Sequence, residues 1–211
     1  MLKPTLRKER RLWRQGLAVV AGVDEVGRGA WAGPLVAAAV IISAGVQPRP
    51  AWWRWVRDSK LLSPAARERV FASAAPELVW ALGIVSSRDI DKLGVAEANR
   101  QAVRLAVGNL KQKPHYVLVD YVARLGGEVC GIPSQVMVDG DATVFSIALA
   151  SIVAKVERDR LMRNYDKQYP GYGFAAHKGY GTREHRAALR RLDLSPLHRR
   201  SYRPVAARLL Y

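Results

Sequence analysis

An almost unbroken apolar run from Leu17 to Val23 ends at Asp24 and Glu25, and a second one spans Leu35 to Ile42. Runs apolar at successive rather than alternate positions predict strands covered on both faces. Gly33-Pro34 ahead of the second run makes it a hairpin-like partner for the first. Ser63, followed by Pro64, reads as the N-cap and first residue of a helix reaching about Ala74. Glu77 to Val85 reads as a strand. Ala96 to Leu110 has helical spacing that offers Ala102, Leu105, Ala106 and Leu110 to a core, and Pro114 closes it. Tyr116 to Val119 is a short apolar strand delivering Asp120. Ser134 to Asp139 is extended and leads to Gly140-Asp141, after which Phe145 to Met162 is a long helix. Beyond it the chain turns aromatic, glycine-rich and basic, from Tyr169 to Gly181, before Thr182 caps a helix bearing Arg183, Arg186, Arg190 and Arg191. No internal repeat or low-complexity linker breaks this alternation, so strands and helices belong to one α/β layer structure. The expected organisation is a basic arm over 1–16, a main body over 17–165 and a C-terminal loop-and-helix segment over 166–211.

Lys and Arg number 34 against 18 acids in 211 residues, a formal charge of +16. Such an excess favours a polyanionic partner, nucleic acid or an anionic membrane face. No stretch approaches the roughly 20 apolar residues a span requires. The single cysteine, Cys130, excludes an internal disulfide framework and a Cys-based zinc site. A cytoplasmic, monomeric protein without membrane contact is expected. Trp52, Trp53 and Trp55 stand among Arg54 and Arg57, where they either stack on bases or pack against the rim of the domain.

The chemistry concentrates where the apolar runs end. Asp24 and Glu25, at the buried end of the first strand, require a cationic partner or a metal, because unpaired buried charge costs several kcal/mol. Arg28 is an available partner in a tight turn. Gly27-Arg28-Gly29 also lets a backbone approach a ligand while one guanidinium contacts phosphate. Asp120 and Asp141 repeat the pattern, so four carboxylates fall at the ends of extended segments. Hard oxygen ligands without cysteine or paired histidine suit Mg²⁺ or Mn²⁺. Two such ions serve phosphodiester hydrolysis. A basic chain with this cluster reads as a nuclease; the competing class is a non-catalytic nucleic-acid-binding module whose acids pair with its arginines.

Asp24-Glu25-Val26-Gly27-Arg28-Gly29 with Ala32-Gly33-Pro34, Asp58-Ser59-Lys60, Val117 to Asp120, Gly140-Asp141, Ala150 to Val156 with Arg158-Asp159, Tyr172-Gly173-Phe174, His177 to Thr182, and His198 to Tyr202 follow one another in an order that resembles ribonuclease HII over about residues 17–205. The resemblance implies an RNase H-like fold, a central mixed β-sheet flanked by helices, with a C-terminal helical extension. It implies endonucleolytic cutting of the RNA strand of RNA–DNA hybrids and at ribonucleotides embedded in duplex DNA, leaving 5′-phosphate and 3′-hydroxyl ends, as in ribonucleotide excision. The absence of a long N-terminal domain sets the expectation apart from the related ribonuclease HIII. Carried onto this chain, the metal ligands are Asp24, Glu25 and Asp120, with Asp141 the fourth acid. Gly27, Arg28 and Gly29 would read the ribose 2′-hydroxyl, which distinguishes RNA from DNA at one nucleotide. Tyr180 would rest on the following deoxyribose, and Lys60 and Lys178 would contact phosphate. Asp159 is expected to be structural, some 21 Å along the helix from Phe145. The chain departs from the family pattern at Ala30-Trp31, at Leu61 and at Asp139, where a lysine is usual. If Gln135 to Asp141 is extended, Asp139 and Asp141 share a face and a fifth carboxylate joins the metal site.

Overall fold

The computed structural model describes residues 3–45, 50–122 and 124–210, with the side chains of Leu209 and Leu210 left aside. Met1 and Leu2 of the basic arm lie outside them. In chain order come α1 (Arg7–Arg14), β1 (Val19–Val26), β2 (Leu35–Ser43), α2 (Pro64–Ala74), β3 (Val79–Val85), α3 (Ser87–Leu93), α4 (Val95–Gly108), β4 (Tyr116–Asp120), β5 (Glu128–Val129), β6 (Ile132–Met137), α5 (Gly140–Thr143), α6 (Phe145–Gln168), α7 (Phe174–His177), α8 (Arg183–Arg191) and α9 (Arg203–Ala206). Among the described residues no helix is long and apolar enough to cross a membrane.

The strands form one mixed sheet in the order β3-β2-β1-β4-β6-β5. β1 and β2 are the expected antiparallel pair, whereas β4 runs parallel to β1 and β6 parallel to β4. Helices cover both faces, which is why β2 is apolar throughout. Ala38, Val40 and Ile42 enter the core beneath α6, and Leu35, Ala37 and Ala39 enter the core beneath α4. Two glycines set how closely these helices approach. A Cβ at Gly22 would lie 2.2 Å from the Ser146 carbonyl carbon of α6, and one at Gly83 would lie 1.9 Å from the Ala102 oxygen of α4.

Caps read from the sequence are present: Ser63 Oγ accepts from Ala66 N–H, and Thr182 Oγ1 from His185 N–H. The start of α6 has no side-chain cap of its own. Glu9 supplies one from α1, fully buried, its Oε1 accepting from Ser146 N–H at 2.8 Å. That contact and the pairing of Thr5 with Val144 dock the basic arm onto the sheet layer as a helix. Trp52 is buried, donating from Nε1 to Glu77, and Trp53 rests on Phe145 with ring centroids 4.7 Å apart, so these two rings pack.

Three expectations need correction. Leu105 is exposed; the buried stripe of α4 is Ala98, Ala102 and Ala106 with Val103 and Val107. α3 was not anticipated, because only Ile90 within it is a buried apolar residue. The segment 135–141 is not extended to its end. β6 stops at Met137, Asp139 takes a left-handed conformation (φ 51°), and Asp141 sits in the helical turn α5.

Candidate active site

The parallel register Val23↔Val119 makes the next residues of β1 and β4, Asp24 and Asp120, neighbours at the carboxyl end of the sheet. The turn after β6 brings in Asp141 from the side. Oxygens of Asp24, Asp120 and Asp141 all lie within 4.8 Å of one another. Each is held. Asp24 Oδ1 accepts from Glu25 N–H at 2.7 Å, and Asp120 Oδ1 from Gly140 N–H at 2.8 Å. Asp141 Oδ2 accepts from Lys60 Nζ at 2.8 Å. Glu25 is not one of the three converging acids but lines the same cavity of about 400 Å³. Its Oε1 faces Arg28 NH1 at 3.4 Å, and its buried Oε2 has no hydrogen-bond partner.

Burial is the main reason Asp24, Glu25 and Asp120 hold protons more tightly than free carboxylates. Asp24 is pushed well up, first by burial and then by Glu25 and Asp120. Burial also raises Glu25, against the pull of Arg28, and Asp120, against the Gly140 N–H. Lys60 is raised by its bond to Asp141. Three carboxylates converge, and one buried oxygen of Glu25 is unused; this all-oxygen set fits a hard divalent cation.

Of the other expected residues, Gly27, Arg28, Gly29, Lys60 and Tyr180 line the cavity with the acids, and Lys178 does not. Lys178 Nζ folds back onto the Ala175 carbonyl. Asp139 is exposed and outside the cluster, because its left-handed backbone breaks the alternation that would have aligned it with Asp141. Asp159 is paired, with Lys155 at 2.7 Å and Arg67 at 4.0 Å. Distance from Phe145 is not the reason it stays apart. α6 meets the site at Ser151, which bonds Asp24 and the Ser59 hydroxyl (2.9 Å), and Asp159 lies two turns further on.

Two residues quoted only as parts of motifs turn out to brace the Gly-Arg-Gly loop and the turn that follows it, residues 32–34. Arg158, fully buried, donates to the carbonyls of Pro34 (2.9 Å), Lys178 (3.0 Å) and Ala32 (3.3 Å), and burial lowers it to about 10. Arg199, also fully buried, donates to Gly33 O at 2.8 and 3.0 Å and to Arg28 O at 3.0 Å. The two loop glycines differ in purpose. Gly27 has φ +96°, and a Cβ there would lie 2.3 Å from Arg158 Nε; Gly29 opens onto free space, the side from which a ligand can approach. Trp31 donates its N–H to Gly179 O (2.8 Å) and lies under Arg186, joining the loop to the C-terminal segment. Ser59, Ser151 and Lys155, quoted only within motifs, and Arg67, which no motif held, also line the cavity.

A mixed sheet that gathers carboxylates at the end of its parallel strands, on a strongly basic chain, has the makings of a metal-dependent nuclease. The ribonuclease H2 from Pyrococcus horikoshii OT3 has this fold: it superposes with a TM-score of 0.75 at 26% identity, over 90% of this chain and 96% of that one. The profile of the family Ribonuclease HII matches residues 21–205. Ribonuclease HII of Moorella thermoacetica is 49% identical over 92% of this chain and 91% of its own length, and that of Geobacillus kaustophilus 47% over 95% and 74%. The chain belongs to the ribonuclease HII family.

Proposed function

We propose that this ribonuclease H cuts the RNA strand of RNA–DNA hybrids and also cuts at single ribonucleotides embedded in duplex DNA, leaving 5′-phosphate and 3′-hydroxyl ends, in the cytoplasm and as a monomer. The observation that carries this reading is the shared cavity: the three converging aspartates and Glu25 line it together with Gly27, Arg28 and Gly29, the last with open space where a Cβ would stand. Asp24, Glu25, Asp120 and Asp141 would hold two Mg²⁺ or Mn²⁺ ions. When bound, such ions lower the pKa of an attacking water and stabilise charge on the leaving oxygen.

The chain's own groups supply position. Arg158 and Arg199 fix the carbonyls of residues 28 and 32–34, so the peptide groups of Gly27, Arg28 and Gly29 meet the ribose 2′-hydroxyl without rearranging. Arg28, half-exposed beside Glu25, reaches a phosphate oxygen. Lys60, released from Asp141 once a cation takes its place, contacts a second phosphate. Tyr180, its ring under the Arg158 guanidinium at 5.4 Å, offers a flat face to the deoxyribose that follows the ribonucleotide. Lys178 would act on phosphate only after leaving the Ala175 carbonyl.

The test is cleavage of three duplexes, one DNA with a single ribonucleotide, one continuous RNA–DNA hybrid and one plain DNA, each with Mg²⁺, Mn²⁺ or EDTA. Cutting of the first two at the ribonucleotide strand, abolished by EDTA, is expected. Cutting of plain DNA would refute selection through the 2′-hydroxyl, and failure on the single ribonucleotide would refute the junction reading of Tyr180.

A further inference from the structure

His177, His185 and His198 are buried together, and their shortest hydrogen bonds favour one tautomer for each ring. A backbone N–H only donates, so His198 Nδ1, 3.0 Å from Ser195 N and 2.9 Å from Ser195 Oγ, carries a lone pair and the proton sits on Nε2; the Ser195 carbonyl, 3.3 Å from the same nitrogen, is the longer, competing contact. A carbonyl only accepts, so His185 Nδ1, 3.0 Å from Tyr180 O, carries the proton and Nε2 the lone pair. These two assignments, made from opposite ends, agree in the middle: His198 Nε2–H points at His185 Nε2 across 3.1 Å. The same logic makes His177 accept from Gly179 N–H (3.2 Å) and donate to Tyr172 O (2.8 Å). Burial lowers both His185 and His198 to about 4, so the neutral rings persist at neutral pH.

The relay therefore has one direction, from Ser195 N–H through His198 and His185 to the carbonyl of Tyr180. That carbonyl also accepts from Thr182 N–H at 2.8 Å, and Tyr180 N–H donates to His177 O at 3.0 Å. His185 lies flat on His177, ring centroids 4.3 Å apart. On one side the peptide is closed off by Gly179, where a Cβ would lie 2.2 Å from Ala32 O, and on the other by Gly181, where a Cβ would meet the Trp31 ring at 2.3 Å. We propose that His185 and His198 are positioning residues for Tyr180, a directed hydrogen-bond relay that fixes its peptide and so aims its ring into the site. This rests on the reading of Tyr180 as the residue that meets the junction deoxyribose.

Two measurements test it. In the unaltered protein at neutral pH, ring ¹⁵N shifts should show His185 protonated on Nδ1 and His198 on Nε2; the opposite tautomer, or an imidazolium, on either ring would overturn the relay. In kinetics, His185→Phe should lower kcat/KM on the single-ribonucleotide duplex by about five- to tenfold, the worth of one hydrogen bond, with a smaller loss on continuous hybrid. His185→Asn, which keeps an N–H near the Nδ1 position, should recover most of it. In a Tyr180→Ala background His185→Phe should change nothing further. Equal losses in both backgrounds would make the histidines general scaffold and overturn the proposal. A Tyr180→Ala protein of unchanged selectivity would overturn the reading of Tyr180 and this one with it, while the tautomers still tell whether the relay exists.

Discussion

Replacing Asp24 by Asn removes one of three carboxylates whose oxygens lie within 4.8 Å of one another, in a residue only 6% exposed. At that separation each like-charged pair repels by about 3 kcal/mol at an effective dielectric of about 20. Lys60 on Asp141 and the proton that burial draws to Asp24 offset much of this, leaving about 1–2 kcal/mol of net relief in the variant. The Asn oxygen still accepts from Glu25 N–H, so no new unsatisfied group arises there. In EDTA at pH 7 the variant is therefore expected to melt about 3–6 °C higher than the unaltered protein. The sign follows from linkage. The folded-state pKa values of Asp24, Glu25 and Asp120 are raised, so the stability they contribute is full below about pH 4, the unfolded value, and is lost as pH rises through the folded values. The melting curve against pH should accordingly be flatter for Asp24→Asn. Millimolar Mg²⁺ or Mn²⁺ should raise the Tm of the unaltered protein and do little for the variant, whose turnover falls by at least about a hundredfold. A variant less stable than the parent in EDTA, or one still stabilised by metal as the parent is, would refute this electrostatic account.

Glu9→Ala, which uncaps α6 and leaves space in the core, should cost about 1–2 kcal/mol by chemical denaturation, and Glu9→Gln, which keeps the acceptor for Ser146 N–H, much less. Arg199→Ala, leaving the carbonyl of Gly33 unpaired and that of Arg28 with the Tyr202 hydroxyl alone, should lose about 3 kcal/mol of stability and most turnover; Arg199→Lys should rescue little, since one ammonium does not reproduce the fork. Asp139→Lys should leave the metal concentration for half-maximal activity within about twofold of the parent, a distant-charge effect, and Asp139→Gly should add up to about 1 kcal/mol of stability by relieving the left-handed backbone. Metal titrations and denaturant midpoints check both.

How much of this was legible depends on whether a feature is written in neighbouring residues. Apolar runs fixed β1, β2 and β4 and therefore the ends where Asp24, Glu25 and Asp120 sit, and the caps at Ser63 and Thr182 each need only three residues to read. Asp139 was misread because a local turn outweighed the extended pattern: Asp tolerates the left-handed region, and Asp-Gly is a turn dipeptide. Leu105 was misread because it stands one residue, about 100° of helix, away from the true stripe of alanines. Arg158 and Arg199 carry their meaning through carbonyls far along the chain, and His177, His185 and His198 through nearby groups that only the folded loop brings into hydrogen-bond geometry. Buried arginines and histidines look like surface charge until the fold shows which carbonyls and ring nitrogens they meet.

The bracing of the Gly-Arg-Gly loop by Arg158 and Arg199 also has a consequence for biogenesis. The four acids are all in place in the sequence by residue 141, and the loop itself by residue 29, yet the groups that hold the loop's carbonyls come from α6 and from the segment just ahead of α9. A chain made from its N-terminus thus presents all four acids before Arg158 and Arg199, the residues that brace the loop and the turn after it, have been added. Truncation before residue 199 is therefore expected to leave the four acids in the chain but the loop unbraced, and cleavage correspondingly low.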